Sequence, residues 1–235
     1  MNWPRLIGCF LASLPAGWFA GVLYRRLPKK GEPLHLFRPF PRPIFSGMFF
    51  TIHVLVTALF LLAAIRFADD TVLVLATYLV FFTSMIALSA IDLDTLRLPD
   101  HIVGGTLVVG LPMVVIASLA HDAAPMIRYA VLGAAVYFGF LLITHLAFPR
   151  GMGFGDVKLA AVMGLYVGWA APTGLTAITL VLYAMLAGFL VGSAVGIALF
   201  AFRGKSRHYP FGPFLVAGAI AVILLSQQLL PEVVI

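Results

Sequence analysis

Acidic residues are scarce in this chain, nine in 235 positions, and four of them stand in two short clusters. The first is Ile91-Asp92-Leu93-Asp94-Thr95-Leu96-Arg97-Leu98-Pro99-Asp100, and the second is Gly151-Met152-Gly153-Phe154-Gly155-Asp156-Val157-Lys158. Asp92 directly follows one long apolar run, and Asp156 directly precedes another. An ionisable side chain at the edge of such a run is costly unless it meets water and a partner. Two carboxylates that share a site can divide one proton, leaving one acid and one base. Such a pair can activate water against a peptide carbonyl and protonate the leaving amine. The same two residues could also be separate anchors at helix ends, and spacing alone favours neither reading.

The surrounding residues narrow the chemistry. Gly151, Gly153 and Gly155 alternate ahead of Asp156. That pattern permits positive φ and a close approach of substrate backbone. A phosphate loop is excluded, because there is no GxxxxGK[ST] pattern and Lys158 follows Asp156 instead. His53 and His145 lie inside apolar runs with no Ser or Cys at a recognisable spacing, so hydrogen-bonded packing is their expected role. His101 and His208 fall near the same face as the acids, with local hydrogen bonding as their default role. Asp94 is read as a solvated carboxylate that could support the site, and Asp100, beside Pro99, as a helix N-cap. Lys158 and Arg97 are candidate ion-pair partners for these acids. The single cysteine, Cys9, excludes a disulfide framework and a CxxC zinc site, so no metal is expected.

What must position these residues is a membrane protein. Hydrophobic residues make up 62% of the chain and charged ones 10%, with a mean hydropathy of +1.08. A soluble domain carries about a quarter charged residues. Eight apolar stretches of spanning length are expected at roughly 6–24, 47–65, 71–91, 102–120, 129–148, 157–172, 175–202 and 211–230. The fold class is therefore all-α, a polytopic bundle of about eight transmembrane helices, read as one domain over 1–235. Gly188, Gly192 and Gly196 form a small-residue ladder suited to helix packing. Residues 1–24 lack a small-x-small cleavage site and are read as a retained helix, not a signal peptide.

If all eight stretches cross, twelve Lys and Arg residues fall on the face that carries Asp92 and Asp156, and only Arg5, Arg66 and Arg128 on the other. That asymmetry orients the acids to the cytoplasm and both termini to the exterior. The basic residues read as topological anchors, not as a nucleic-acid surface. The one long connection, 25–46, holds five prolines and cannot be a regular helix.

At the two acidic clusters the sequence resembles the type IV prepilin leader peptidases, membrane aspartyl proteases marked by a GxGD motif. Gly153-Phe154-Gly155-Asp156, continued by Val157-Lys158, is that motif. Ile91-Asp92 followed by Leu98-Pro99-Asp100 resembles the family's first aspartate segment, and Pro210-Phe211-Gly212-Pro213-Phe214-Leu215 its PFGP segment. Gly17, Phe19, Val22 and Arg26-Leu27-Pro28 echo its N-terminal stretch. The resemblance implies catalytic Asp92 and Asp156, with Gly153, Gly155, Lys158 and Asp94 in support. It implies removal of the basic leader from type IV prepilins or type II secretion pseudopilins, after a glycine at the cytoplasmic edge of the substrate helix, in the bacterial inner membrane. Cleavage would need no cofactor. Many family members also methylate the new N-terminus with S-adenosylmethionine. Larger members carry two CxxC pairs in the first cytoplasmic segment, whereas residues 25–46 hold no cysteine. The zinc module is absent in that form, which leaves methylation open. The competing class is a small proton-coupled transporter, for which acids at mid-span and two related halves are expected. The sequence leaves the oligomeric state and the particular pilin open.

Overall fold

The computed structural model describes residues 3–26, 47–149, 152–203 and 210–229. Most of the proline-rich segment, together with Gly151 and His208, lies outside the described residues. The described residues form eight α-helices: α1 (Trp3–Arg26), α2 (Gly47–Arg66), α3 (Val72–Thr95), α4 (Asp100–Leu119), α5 (Pro125–Ala147), α6 (Phe154–Trp169), α7 (Gly174–Arg203) and α8 (Gly212–Leu229). Seven are long and apolar enough to cross a membrane, and α6 is the exception. Large apolar side chains such as Val108, Ile143 and Leu175 point outward, each at least 70% exposed. Lipid is the solvent in which that surface is stable.

The chain divides into two compact units, Met1–Leu96 and Arg97–Ile235. In the first, α1 and α2 run antiparallel. Gly17 admits the ring of His53, and Gly21 admits that of Phe49. The Arg5 guanidinium donates to the carbonyls of Phe67, Ala68 and Asp70, closing the turn after α2. Phe67 stacks on Tyr78 of α3 at 4.4 Å between ring centroids. Thr71 caps the start of α3, its hydroxyl accepting from the Val74 N–H.

The second unit is built around α6, which packs against α4, α5, α7 and α8. Of its residues from Val157 to Trp169, all but Lys158 and Ala161 are buried. Glycine makes the closest seam: Gly133 of α5 lies against Gly164 and Gly168 of α6, so that a Cβ at any of the three would strike backbone. Close approach of this kind strengthens dispersion and interhelical contacts where lipid offers no hydrophobic drive. The far end of α6 is tied to α4 by Trp169, whose Nε1 donates to the Ser118 hydroxyl at 2.9 Å. Of the predicted ladder, Gly188 faces α8 at Leu215, and Gly192 faces Phe211 just ahead of that helix.

Candidate active site

Asp92 stands in the last turn of α3, only 5% exposed. The helix runs on to Thr95, beyond the expected limit at residue 91, so Asp92 and Asp94 are helical. The stop is conformational. Leu96 adopts the left-handed region at φ 54°, and its N–H bonds the Asp92 carbonyl at 2.9 Å. Glycine usually takes that position, so no sequence signal marked it. On the neighbouring helix, the buried Tyr24 donates to the exposed Asp94 carboxylate at 3.4 Å. Buried Tyr24 and Arg25 thus lie at the end of α1 that packs on α3 near these acids.

Asp156 occupies the first turn of α6, 8% exposed, three residues after the Gly153 N-cap. Its N–H bonds the Gly153 carbonyl at 3.1 Å, and a Cβ on Gly153 would sit 3.6 Å from the carboxylate. The helix N-terminus favours negative charge there through free N–H groups and the macrodipole. Gly153 and Gly155 do not use the positive φ that glycine permits. Gly153 is extended at φ −70°, a conformation open to any residue. Gly155 is helical, and smallness is its contribution: Leu98 packs so closely that a Cβ would lie 3.0 Å from its own.

A second contact joins the same two segments. Lys158 reaches Asp100 at 2.7 Å and also lies over the Phe154 ring, 5.0 Å from its centre. Asp100 is therefore the first residue of α4 and an ion-pair partner, not its N-cap, which is Pro99. The proline has set the start of the helix one residue earlier than the carboxylate would have. Leu98-Pro99-Asp100 and Gly155-Asp156-Val157-Lys158 are thus held side by side within the second unit. His53 is packed as expected, with Nδ1 against the Phe49 carbonyl at 3.0 Å.

His145 is hydrogen-bonded as expected, but its partner was not foreseen. Its Nδ1 lies 2.9 Å from the Met152 carbonyl, and its ring is 5.5 Å from that of Phe154. A carbonyl only accepts, so Nδ1 carries the proton in this contact. The histidine braces the glycine turn from the last helical turn of α5. No residue spacing announces a bond that closes across a helix end and a turn.

Fold and site together define a multi-pass helical membrane protein with buried aspartates at two helix ends. The sequence model described as the type IV leader peptidase family matches residues 79–197, just over half of the chain and inclusive of both aspartates. The chain belongs to that family. It is similar to the prepilin leader peptidase/N-methyltransferase of Aeromonas hydrophila, 37% identical over 146 residues that cover 59% of this chain and 46% of that one. The Pseudomonas putida protein of the same name is 38% identical over 151 residues, 60% and 46% of the two chains. Its Escherichia coli K12 counterpart is 32% identical over 161 residues, 67% and 66%. The match thus spans about half the length of most of these curated relatives. No solved structure matches the chain significantly.

Proposed function

We propose that Asp92 and Asp156 act together as the acid and base of an aspartyl endopeptidase that removes the leader from prepilins or pseudopilins. The observation that carries this reading is the burial of each family-matched aspartate, 5% and 8% exposed, at the end of an apolar helix. Isolated helix anchors would sit in water or headgroups. A carboxylate buried at such a position needs a partner or a proton. The ionised member takes a proton from water, the resulting hydroxide attacks the scissile carbonyl carbon, and the protonated member gives its proton to the amine that leaves as the C–N bond breaks. Asp94, Gly153, Gly155 and Lys158 belong to the supporting structure. The positive-inside asymmetry supports the part of this proposal that sets the chemistry at the cytoplasmic face of the bacterial inner membrane, with both termini outside.

Both acids stand at helix ends and not at mid-span, so nothing favours the transporter reading. The methyltransferase half of the relatives' names comes from proteins of which the match covers only part, and the proposal for this chain is confined to cleavage. The test is incubation of the purified protein with a prepilin peptide, read by mass spectrometry. Loss of the leader is expected, and an intact peptide after prolonged incubation overturns the reading. Supplying S-adenosylmethionine in the same tube answers the methylation question by one further methyl mass.

A further inference from the structure

The start of α6 has little of its own to hold it. Its N-cap, Gly153, carries no side chain to bond the first N–H groups, a role that Ser, Thr, Asp or Asn usually takes. Gly153 and Phe154 are both exposed. A carbon added to Gly153 would meet, within 4 Å, only the Asp156 carboxylate and the Gly155 nitrogen, both of the same turn. Glycine also lets the backbone rotate at little steric cost. From the last turn of α5, His145 supplies what the turn lacks. Its Nδ1–H donates to the Met152 carbonyl at 2.9 Å, and its ring lies 5.5 Å from that of Phe154. The seam of Gly133 with Gly164 and Gly168 packs α5 on α6 backbone to backbone, so His145 hangs from a firm base.

The bond bears on Asp156 through one peptide plane. The Met152 carbonyl and the Gly153 N–H belong to the same planar unit, so fixing the oxygen also fixes the direction of that N–H. Asp156 stands three residues beyond the cap, the position from which a carboxylate reaches back toward the N-cap backbone. Its Oδ2 is 3.6 Å from the place a Gly153 Cβ would take. Rotation of the Met152–Gly153 peptide therefore changes what the carboxylate faces. We propose that His145, by holding the Met152 carbonyl, fixes that peptide and so orients Asp156. His145 is thereby a positioning residue for the peptidase reaction, a role that rests on the functional reading above. Misplacement of a reacting group by about 1 Å costs up to about a hundredfold in rate.

The test compares His145→Phe and His145→Asn in the full-length protein. Phenylalanine keeps a ring against Phe154 and loses the donor, whereas the asparagine amide places an N–H about where Nδ1 stands. His145→Phe should lower kcat per folded molecule about tenfold or more, with KM within about twofold of the parent's. His145→Asn should recover most of that loss. His145→Leu, smaller and also without a donor, carries the same expectation as His145→Phe and replaces it if the phenyl ring does not fit. A purely structural bond predicts a lower thermal midpoint with kcat per folded molecule unchanged. That result overturns the proposal, and so does an Asn variant as slow as the Phe variant. A second measurement needs no turnover. The infrared carboxyl band that Asp156→Asn removes should shift in His145→Phe and return toward its parent position in His145→Asn. A band that stays in place in His145→Phe overturns the proposal. If the parent itself cleaves nothing, the functional reading fails while the infrared comparison still decides this one.

Discussion

A carboxylate and its amide differ by little in size and by everything in proton chemistry. Asp92→Asn or Asp156→Asn should therefore abolish leader removal, by about a hundredfold or more, while the protein remains inserted and folded. Activity of either variant near the parent's would dissolve the dyad. Asp100 tests the opposite expectation. Its pair with Lys158 is exposed, with side chains 71% and 36% accessible, and such pairs contribute less than about 1 kcal/mol. Asp100→Asn should lower the thermal midpoint slightly, lose most of that difference in high salt, and still cleave. Asp94→Asn should likewise be mild. Metal chemistry is separable by the same assay: cleavage should survive strong chelators and Cys9→Ser, since the chain has a single cysteine. Stoichiometric zinc lost together with activity would contradict that.

At the scale of the helix, backbone contact decides what a side chain can do. A Cβ at Gly164 would strike the Gly133 carbonyl and the Ala134 backbone, which cannot yield as a flexible side chain would. Gly164→Leu should force α5 and α6 apart and destabilise by about 1–3 kcal/mol or more. Gly139→Ala, on α5 with nothing within 4 Å of the added carbon, should be neutral. Equal thermal midpoints for the two variants in one detergent would remove the glycine seam from the account. The helices themselves were legible because lipid demands long, nearly uncharged stretches, a signal that survives without periodicity. The ends were less so. Asp92 and Asp94 resemble a terminus by polarity, and only the left-handed Leu96 shows where α3 stops. The partner of His145 was opaque for a related reason. In a membrane helix almost every position is apolar, so no polar face exposes which side is buried. Only the tertiary pairing of α5 with α6 brings His145 to the Met152 carbonyl.

The path of the whole chain turns on α6. At 16 residues it is about 24 Å long, short of a hydrocarbon core of about 30 Å. A helix exposed to lipid would be hard to place at that length, but α6 meets mostly protein. Its first turn lies beside the last turn of α5, where His145 contacts Phe154. Its last turns reach the first turns of α5, where Gly168 meets the Tyr129 carbonyl, and the end of α4, where Trp169 bonds Ser118. Antiparallel partners of this kind begin and end on opposite sides, so the expected outcome is that α6 crosses as α5 does, which would bring the seven candidate spans to eight. That count, with the basic asymmetry, sets a pattern of exposure that single cysteines can read on a Cys9→Ser background. Ala124→Cys and Pro172→Cys occupy exposed positions before α5 and after α6, and both should react with an impermeant maleimide added to intact spheroplasts. Phe148→Cys, 70% exposed at the other end of α5, should react only after permeabilisation. Were α6 a buried re-entrant segment, Pro172→Cys would instead follow Phe148→Cys. The side chains that brace Asp156 would then hang from a hairpin, with no crossing to hold its helix end at one face.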